Sequence, residues 1–151
     1  REGDNPDYKS VYASQSIKSF EVISSLEFDN IVSIPNRFTV QISKNEHIHL
    51  NPQHLRYINH TCDPNVFFDV ENKTLIALKN VNAGEELGFF YPSTEWEMTE
   101  SFNCICKSSN CLGKINGAKH LSSEKITEYK MSKHIMELRN KNLSTKKTEP
   151  K

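Results

Sequence analysis

Short apolar runs bounded by polar turn residues recur along the first ninety residues, and this pattern predicts β-strands. The runs are rich in β-branched and aromatic residues and cover residues 11–13, 21–26, 30–34, 38–42, 47–50, 74–81 and 87–91. The last two runs flank a turn that contains Gly84, so they are predicted to form a hairpin in which this glycine supplies a left-handed backbone angle. The pattern therefore predicts a mostly β fold built from short strands.

A helical period appears near the C-terminus. Side chains recur there along one side at the spacing of an amphipathic helix: Ile126, Tyr129, Lys133 and Met136, widened by Met131, Ile135 and Leu138. We predict one helix over residues 122–140, within a C-terminal region that spans 118–140. Residues 141–151 are polar and are predicted to be a disordered tail, and residues 1–10 a frayed N-terminus.

Composition and charge narrow the class of protein. The 151 residues are enough for one domain, and 36% hydrophobic with 25% charged residues is typical of a soluble globular protein. No apolar stretch approaches the ~18 residues of a membrane span. Nineteen basic residues balance nineteen acidic ones. Residues 1–117 carry a net charge of −5 and residues 118–151 one of +5, so nucleic-acid binding is disfavoured except through the basic C-terminal part.

Four cysteines carry the clearest chemical signal. Cys104, Cys106 and Cys111 form a Cys-x-Cys-x4-Cys loop, and Cys62 lies about forty residues upstream. Thiols two residues apart are poorly placed to bridge each other, whereas a flexible loop can wrap three thiolates around a tetrahedral ion, with Cys62 as the fourth ligand. Two disulfides or four unrelated thiols remain alternatives, and the sequence favours Zn²⁺. Thiolate-type cysteines indicate a reducing intracellular compartment, cytoplasmic or nuclear.

Two further segments accompany the cysteine loop. Residues 56–65 read Arg-Tyr-Ile-Asn-His-Thr-Cys-Asp-Pro-Asn, and residues 84–91 read Gly-Glu-Glu-Leu-Gly-Phe-Phe-Tyr. Together with the loop they resemble the SET-domain protein-lysine methyltransferases, which combine an Asn-His-Ser-Cys-x-Pro-Asn segment, a Gly-Glu-Glu-Leu-x-Phe-x-Tyr segment and a post-SET cysteine cluster. The resemblance covers about residues 11–117. Residues 90–96, Phe-Tyr-Pro-Ser-Thr-Glu-Trp, are most similar to small free-standing members of the family.

The resemblance implies a SET-type fold: short strands in small sheets around a knot-like crossing, a post-SET zinc loop and a C-terminal α-helix. The SET-like core is expected over residues 11–100 and the zinc loop over residues 101–117. In the family, the loop's zinc takes its fourth thiolate from the Asn-His segment, which here is Cys62. We therefore hypothesise that metal binding and assembly of the active site are coupled.

The resemblance also assigns the cofactor and the reacting groups. Asn59 and His60 are implied to hold S-adenosylmethionine, largely through backbone groups, with Arg56 and Tyr57 flanking the same pocket. Tyr91 is implied to be the catalytic residue, because its hydroxyl can hold the amine of a substrate lysine.

Phe89 stands in the substrate channel, where the family carries Phe or Tyr, and Phe implies room for a di- or trimethylated product. The sequence departs from the family in its first segment, since residues 8–13 lack the usual Gly-x-Gly and a side chain there is expected to crowd the cofactor. Phe90 also replaces the family's Asp. Two functions follow: an S-adenosylmethionine-dependent protein-lysine N-methyltransferase with a lysine-bearing, histone-like protein substrate, or a non-catalytic SET-like interaction module with a structural zinc.

Overall fold

A computed structural model of the protein describes residues 9–36 and 38–148. Within these ranges the chain forms ten short strands and two helices. In chain order they are β1 (Val22–Ser25), β2 (Ile31–Val32), β3 (Thr39–Gln41), β4 (His47–His49), β5 (Asn59–His60), β6 (Val66–Asp69), β7 (Thr74–Ala77), β8 (Gly88–Phe89), β9 (Phe102–Asn103), β10 (Lys114–Ile115), α1 (Ser123–Thr127) and α2 (Lys133–Thr148). Single 3₁₀ turns occupy Gln53–Tyr57, Tyr91–Ser93 and Ala118–His120. The predicted frayed N-terminus covers residues 1–10, and residues 1–8 of it lie outside the described residues.

The strands pair in four small sheets, as the prediction of a mostly β protein requires. Two are three-stranded and antiparallel, with the orders β1-β7-β6 and β2-β4-β3. A third is the antiparallel pair β9-β10, and the fourth is the pair β5-β8, whose strands run parallel. The long side chains of Phe68, Ile48 and Leu75 are fully buried between these sheets. Each contributes roughly 1.5–3 kcal/mol through loss of contact with water.

The parallel pair β5-β8 replaces the predicted hairpin. Strand β7 pairs with β1 and β6, and β8 pairs with β5, so the hairpin between residues 74–81 and 87–91 is wrong. The side chain of Asn65 explains the choice of partner: Oδ1 accepts from the Gly88 N–H at 2.9 Å, and Nδ2 donates to the Glu86 carbonyl at 3.0 Å. A Cβ at Gly88 would lie 2.6 Å from Cγ2 of Thr61, so the close approach of the two strands requires glycine there.

The C-terminal region contains two helices where one was predicted. Ser122 caps α1 by accepting from the Lys125 N–H at 3.1 Å, and the helix ends at Thr127. The chain breaks between the helices because Ser132 turns its N–H towards the Ser93 carbonyl, at 2.9 Å, instead of continuing a helical ladder. The predicted apolar stripe is therefore divided between two elements.

The predicted disordered tail is wrong for residues 141–148. Helix α2 continues to Thr148, and residues 149–151 lie outside the described ranges. Lys141 and Leu143 are good helix formers, so a helix begun on packed residues extends through them. In the part of the chain that the structure describes, no helix has the length and apolar character needed to cross a bilayer.

Candidate functional site

The four cysteines meet at one point. Their Sγ atoms all lie within 4.8 Å of one another, and the Sγ atoms of Cys62 and Cys104 are 3.9 Å apart. Four sulfurs held at ~2.3 Å from one ion in a tetrahedron are ~3.8 Å apart, so this spacing fits Zn²⁺. All four thiols are free, and the separation of Cys62 and Cys104 is far longer than an S–S bond. Of the alternatives open from the sequence, the geometry favours the metal site over disulfides.

The surroundings of the sulfurs make several thiolates costly unless a cation balances their charge. The backbone N–H of Leu112 donates to the Sγ of Cys62 at 3.3 Å. Burial raises the pKa of Cys62, and it also raises the pKa of Cys104 to about 11. Burial opposes ionisation of Cys106 as well, but a hydrogen bond with the Ser108 hydroxyl helps to lower its pKa to about 5. A divalent cation offsets the cost of burying several thiolates together, which makes zinc and this donor set a chemical match.

The carbonyl oxygen of Cys62 is the second anchor of this region. It accepts from Nδ2 of Asn110 at 2.9 Å and from the hydroxyl of Tyr129 at 2.8 Å. The Tyr129 ring stacks on Phe90 with ring centroids 3.7 Å apart and planes 5° from parallel. Phe90, the residue that departs from the family pattern, is the buried partner of this stack. The loop and the segment after α1 are thus hydrogen-bonded to the carbonyl of Cys62, the candidate fourth metal ligand.

His60 connects the sulfur cluster to Tyr91. Its Nδ1 accepts from the Tyr91 backbone N–H at 3.1 Å, so the proton of the neutral ring belongs on Nε2. Nε2 lies 3.4 Å from the Sγ of Cys62. The ring is buried and packs edge-on against Tyr91 and Phe102, with centroids 5.1 and 5.6 Å away. A shift of the Cys62 sulfur would therefore move the His60 ring and, through it, the backbone N–H of Tyr91.

A cavity of about 400 Å³ opens on the other side of the β5-β8 pair. Its lining includes five residues that the sequence singled out: Arg56, Tyr57, Asn59, Phe89 and Tyr91. Its volume lies within the range of small-molecule sites. His60 is not among the described residues that line this cavity, because its ring points to the sulfur cluster.

Arg56 and Tyr57 form a basic wall of the cavity. An Nη of Arg56 donates to the Tyr57 hydroxyl at 2.9 Å, and this bond lowers the pKa of Tyr57. The Arg56 guanidinium also lies 5.2 Å from the centroid of the Phe38 ring. Nε of Arg56 is buried and has no hydrogen-bond partner in the described part of the chain. A buried, positively charged hydrogen-bond donor without a described partner is suited to bind an anionic group such as the carboxylate of an amino acid.

Asn59 fastens the segment that lacks the family's glycines. Its Nδ2 donates to the Lys9 carbonyl, to Oγ of Ser10 and to Oε2 of Glu86, each at 3.1 Å. Lys9 and Ser10 are therefore held in place, which corrects the frayed N-terminus for these two residues. The side chain of Lys9 lies over the Tyr57 ring, with Nζ 4.9 Å from its centroid. Lys9 also lines the cavity, so the crowding of the cofactor expected from this segment stays a prediction.

Tyr91 and Phe89 form the aromatic wall. Their ring centroids are 4.7 Å apart, and Phe89 also packs edge-on against Phe68 at 4.6 Å. The Tyr91 hydroxyl donates to the Ile58 carbonyl at 3.4 Å, near the upper limit for a hydrogen bond. A phenol at the edge of an aromatic wall can bind a polar group that enters the cavity.

Glu95 also lines the cavity, although sequence reasoning did not single it out. Its Oε2 accepts from the Gln41 N–H at 2.9 Å and from the Thr94 hydroxyl at 2.7 Å. Burial raises the pKa of Glu95 to about 7, against the opposing effect of these two donors. Gln41 in turn accepts from the Trp96 N–H at 2.8 Å, so the carboxylate is clamped to β3. The available signal was its place within the Phe-Tyr-Pro-Ser-Thr-Glu-Trp run.

Residues 8–92 match the family model of the SET domain. The match covers more than half of the chain, and the chain belongs to the SET-domain family.

The curated relatives agree with this assignment. Over 86 residues the chain is 40% identical to "Methyltransferase flvH" of Aspergillus flavus, an alignment that covers 56% of this chain and 48% of that protein. Over 68 residues it is 34% identical to "Histone-lysine N-methyltransferase, H3 lysine-4 specific" of Emericella nidulans, covering 40% of this chain and 6% of that protein. The chain thus spans about half the length of the first of these relatives and a small part of the second.

Solved structures show the same fold. A crystal structure of KRYPTONITE in complex with mCHG DNA and SAH matches with a TM-score of 0.57 and 19% identity, covering 73% of this chain and 27% of that one. A second complex of KRYPTONITE, with mCHH DNA, an H3(1-15) peptide and SAH, matches with a TM-score of 0.54 and 20% identity, covering 70% of this chain and 26% of that one. The predicted SET-type fold is confirmed.

Proposed function

We propose that the protein is an S-adenosylmethionine-dependent protein-lysine N-methyltransferase with a structural zinc. The observation that carries this proposal is the phenol of Tyr91 at the wall of a 400 Å³ cavity whose other wall holds the unpaired Nε of Arg56. Membership of the SET family, relatives named as methyltransferases and fold neighbours whose titles name SAH support the same activity.

The cofactor is expected to bind the cavity walls beside the β5-β8 pair. Arg56, Tyr57 and Asn59 would hold S-adenosylmethionine, with His60 contributing backbone groups and fixing Tyr91. S-adenosylmethionine supplies a sulfonium methyl group to which an amine nitrogen can bond. The guanidinium of Arg56 suits the carboxylate of the cofactor's amino-acid part, since charge-assisted hydrogen bonds are the stronger kind.

The substrate amine must be neutral and aligned before it can react. A lysine with a pKa of ~10.4 is almost wholly charged at pH 7, and removing its proton costs ~4–5 kcal/mol. A narrow cavity walled by Phe89 and Phe102 disfavours the charged form and restricts the approach of the amine. The hydroxyl of Tyr91 then orients the nitrogen and stabilises the charge that shifts during transfer.

Phe89 indicates the degree of methylation, and the relatives indicate the kind of substrate. Phe89 presents a hydrocarbon edge where a hydroxyl would hold a water molecule against the amine, so we propose di- or trimethylation. The substrate is proposed to be a protein lysine. Histones are the first candidates, because the Emericella nidulans relative is named a histone-lysine methyltransferase and one KRYPTONITE complex contains an H3(1-15) peptide. We propose a cytoplasmic or nuclear location, where the four thiols stay reduced.

Calorimetric titration with S-adenosylmethionine, followed by transfer of its radiolabelled methyl group, tests the proposal. Zinc-replete protein is expected to bind the cofactor and to label lysines in core histones or in a heat-inactivated whole-cell lysate. Folded protein that binds the cofactor yet labels no protein would contradict lysine methylation as the activity.

A non-catalytic interaction module is the second candidate, and the glycine-free segment at residues 8–13 favours it. Lys9 places a full side chain at the cavity where the family usually has glycine. Calorimetry separates the two functions: no heat from folded, zinc-replete protein at millimolar S-adenosylmethionine would favour the module.

A further inference from the structure

Glu95 is a half-buried acid of the cavity, and the reaction described so far does not use it. Glu95 lies four residues after Tyr91, and its backbone N–H donates to the Tyr91 carbonyl at 3.0 Å. Its side chain lines the same cavity as Phe89, Tyr91 and Phe102. A carboxylate enclosed by aromatic and aliphatic walls is costly unless a cation or donors compensate it.

The contacts of Glu95 leave capacity on the carboxylate. The Gln41 N–H and the Thr94 hydroxyl both donate to Oε2, and an ionised carboxylate can accept about four hydrogen bonds. These donors fix the direction of the side chain without neutralising its charge. A carboxylate held rigidly beside the aromatic wall of the cavity can therefore bind a cationic group.

Resting on the proposed function, we propose that Glu95 receives the ammonium of the substrate lysine and takes its proton before methyl transfer. One proton passes from the lysine Nζ to a carboxylate oxygen of Glu95. The lone pair left on nitrogen forms the new N–C bond while the methyl C–S bond breaks, and the electrons of that bond stay on sulfur. Glu95 then releases its proton to solvent. The sum is one methyl group transferred and one proton released.

Two other acids, Glu97 and Glu100, line the same cavity, but both are exposed, whereas Glu95 is half-buried and held by two donors. His47 of β4 lies opposite Gln41 in the β3-β4 pair, and Nε2 of His134 in α2 lies 2.7 Å from the Thr94 carbonyl. Burial lowers the pKa of both histidines, so both are neutral near pH 7. Across the cavity stand the cations Lys9 and Arg56, on the wall proposed to hold the cofactor.

The first test measures methyl transfer against pH in wild type, Glu95→Gln and Glu97→Gln. Radiolabelled S-adenosylmethionine and heat-inactivated whole-cell lysate serve as donor and acceptor. Glu97 lines the same cavity and serves as the control, because its exposed carboxylate already pairs with Lys119 and His120, each at 3.4 Å. Cofactor affinity, measured by calorimetry, is expected to be equal in all three proteins.

Wild type is expected to reach a plateau above about pH 7, the pKa of Glu95. Glu95→Gln should be slower at pH 7 by about 10²-fold, the usual size of a lost general base. Its rate should rise tenfold per pH unit towards pH 9.5, because solvent must then take the proton. Glu97→Gln should follow wild type. The same pH profile in wild type and Glu95→Gln would overturn this inference alone, whereas no transfer by wild type would overturn the proposed function with it.

A second test needs no turnover. Butylammonium, a surrogate for the lysine side chain, is titrated into wild type and Glu95→Gln while carboxyl signals are followed by ¹³C NMR. We expect the Glu95 carboxyl signal to shift in wild type and the affinity to fall at least tenfold in the variant. Equal affinities in the two proteins would overturn the contact.

Discussion

The two sides of the β5-β8 pair differ in how fully their polar groups are bonded. On the sulfur side, the Cys62 carbonyl has two donors within 2.9 Å, and the Cys62 Sγ lies near Leu112, His60 and a second sulfur. On the cavity side, the Tyr91 hydroxyl has a 3.4 Å contact and Nε of Arg56 has no described partner. A fully bonded side stabilises a shape, and an incompletely bonded side can bind a ligand.

The largest effect is expected from breaking the sulfur side. Chelation, or Cys104→Ser, should abolish methyl transfer and lower the unfolding midpoint by at least about 10 °C. The reason is that a structural zinc contributes about 10 kcal/mol, and each kcal/mol corresponds to roughly 2–4 °C in a chain of this size. Metal analysis and thermal unfolding measure this, with Ser109→Ala, exposed in the same loop, as the control. A midpoint unchanged by complete metal removal would show that the cluster does not depend on an ion.

The next effect concerns the cavity side alone. Tyr91→Phe should reduce methyl transfer by about 10²–10³-fold, the usual consequence of losing one oriented donor at a reacting centre. Stability should hardly change, since the hydroxyl's contact with Ile58 is long. Initial rates with radiolabelled cofactor measure it, and Tyr12→Phe, at a side chain that is 58% exposed, is the control. Full activity of Tyr91→Phe would remove the phenol from the mechanism.

Local motifs explain why the clustering of the four cysteines could be predicted from the sequence, and their role as metal ligands stays a prediction. The Cys-x-Cys-x4-Cys loop fixes three donors within eight residues, so their meeting requires only one further chain crossing, which the family resemblance supplied for Cys62. Tyr91 and Asn59 were likewise carried by contiguous motifs. Their roles in catalysis and cofactor binding remain predictions.

Residues with distant partners could not be predicted. Tyr129 fitted the stripe of one amphipathic helix, but its role depends on Cys62, which is 67 positions away. Glu95 depends on Gln41, which is 54 positions away, and nothing in a single sequence specifies that approach. The hairpin prediction failed for the same reason, since the Asn65 amide draws β8 to β5. Local patterns specify strand and turn types, whereas tertiary hydrogen bonds decide the pairing.

A smaller effect tests whether the two sides communicate through His60. In His60→Asn, the amide oxygen can replace Nδ1 towards the Tyr91 N–H, but nothing replaces Nε2 near the Cys62 sulfur. In His60→Gln, the longer amide can reach that sulfur. Zinc affinity, measured by competition with a chromogenic chelator, should fall about 10–100-fold in the Asn variant, as losses beside metal ligands do, and less in the Gln variant. Equal affinities in the two variants would show that Nε2 does not support the metal ligand.

The smallest effect isolates one hydrogen bond on the sulfur side. Tyr129→Phe removes the 2.8 Å bond to the Cys62 carbonyl but keeps the stack on Phe90. Because Asn110 still donates to that carbonyl at 2.9 Å, no buried acceptor is left empty, and the free energy of unfolding should fall by only about 1 kcal/mol. Urea denaturation of the zinc-loaded protein measures it. A loss above about 3 kcal/mol would mean that the hydroxyl, and not the ring stack or the metal, is what fastens the C-terminal segment to the crossing.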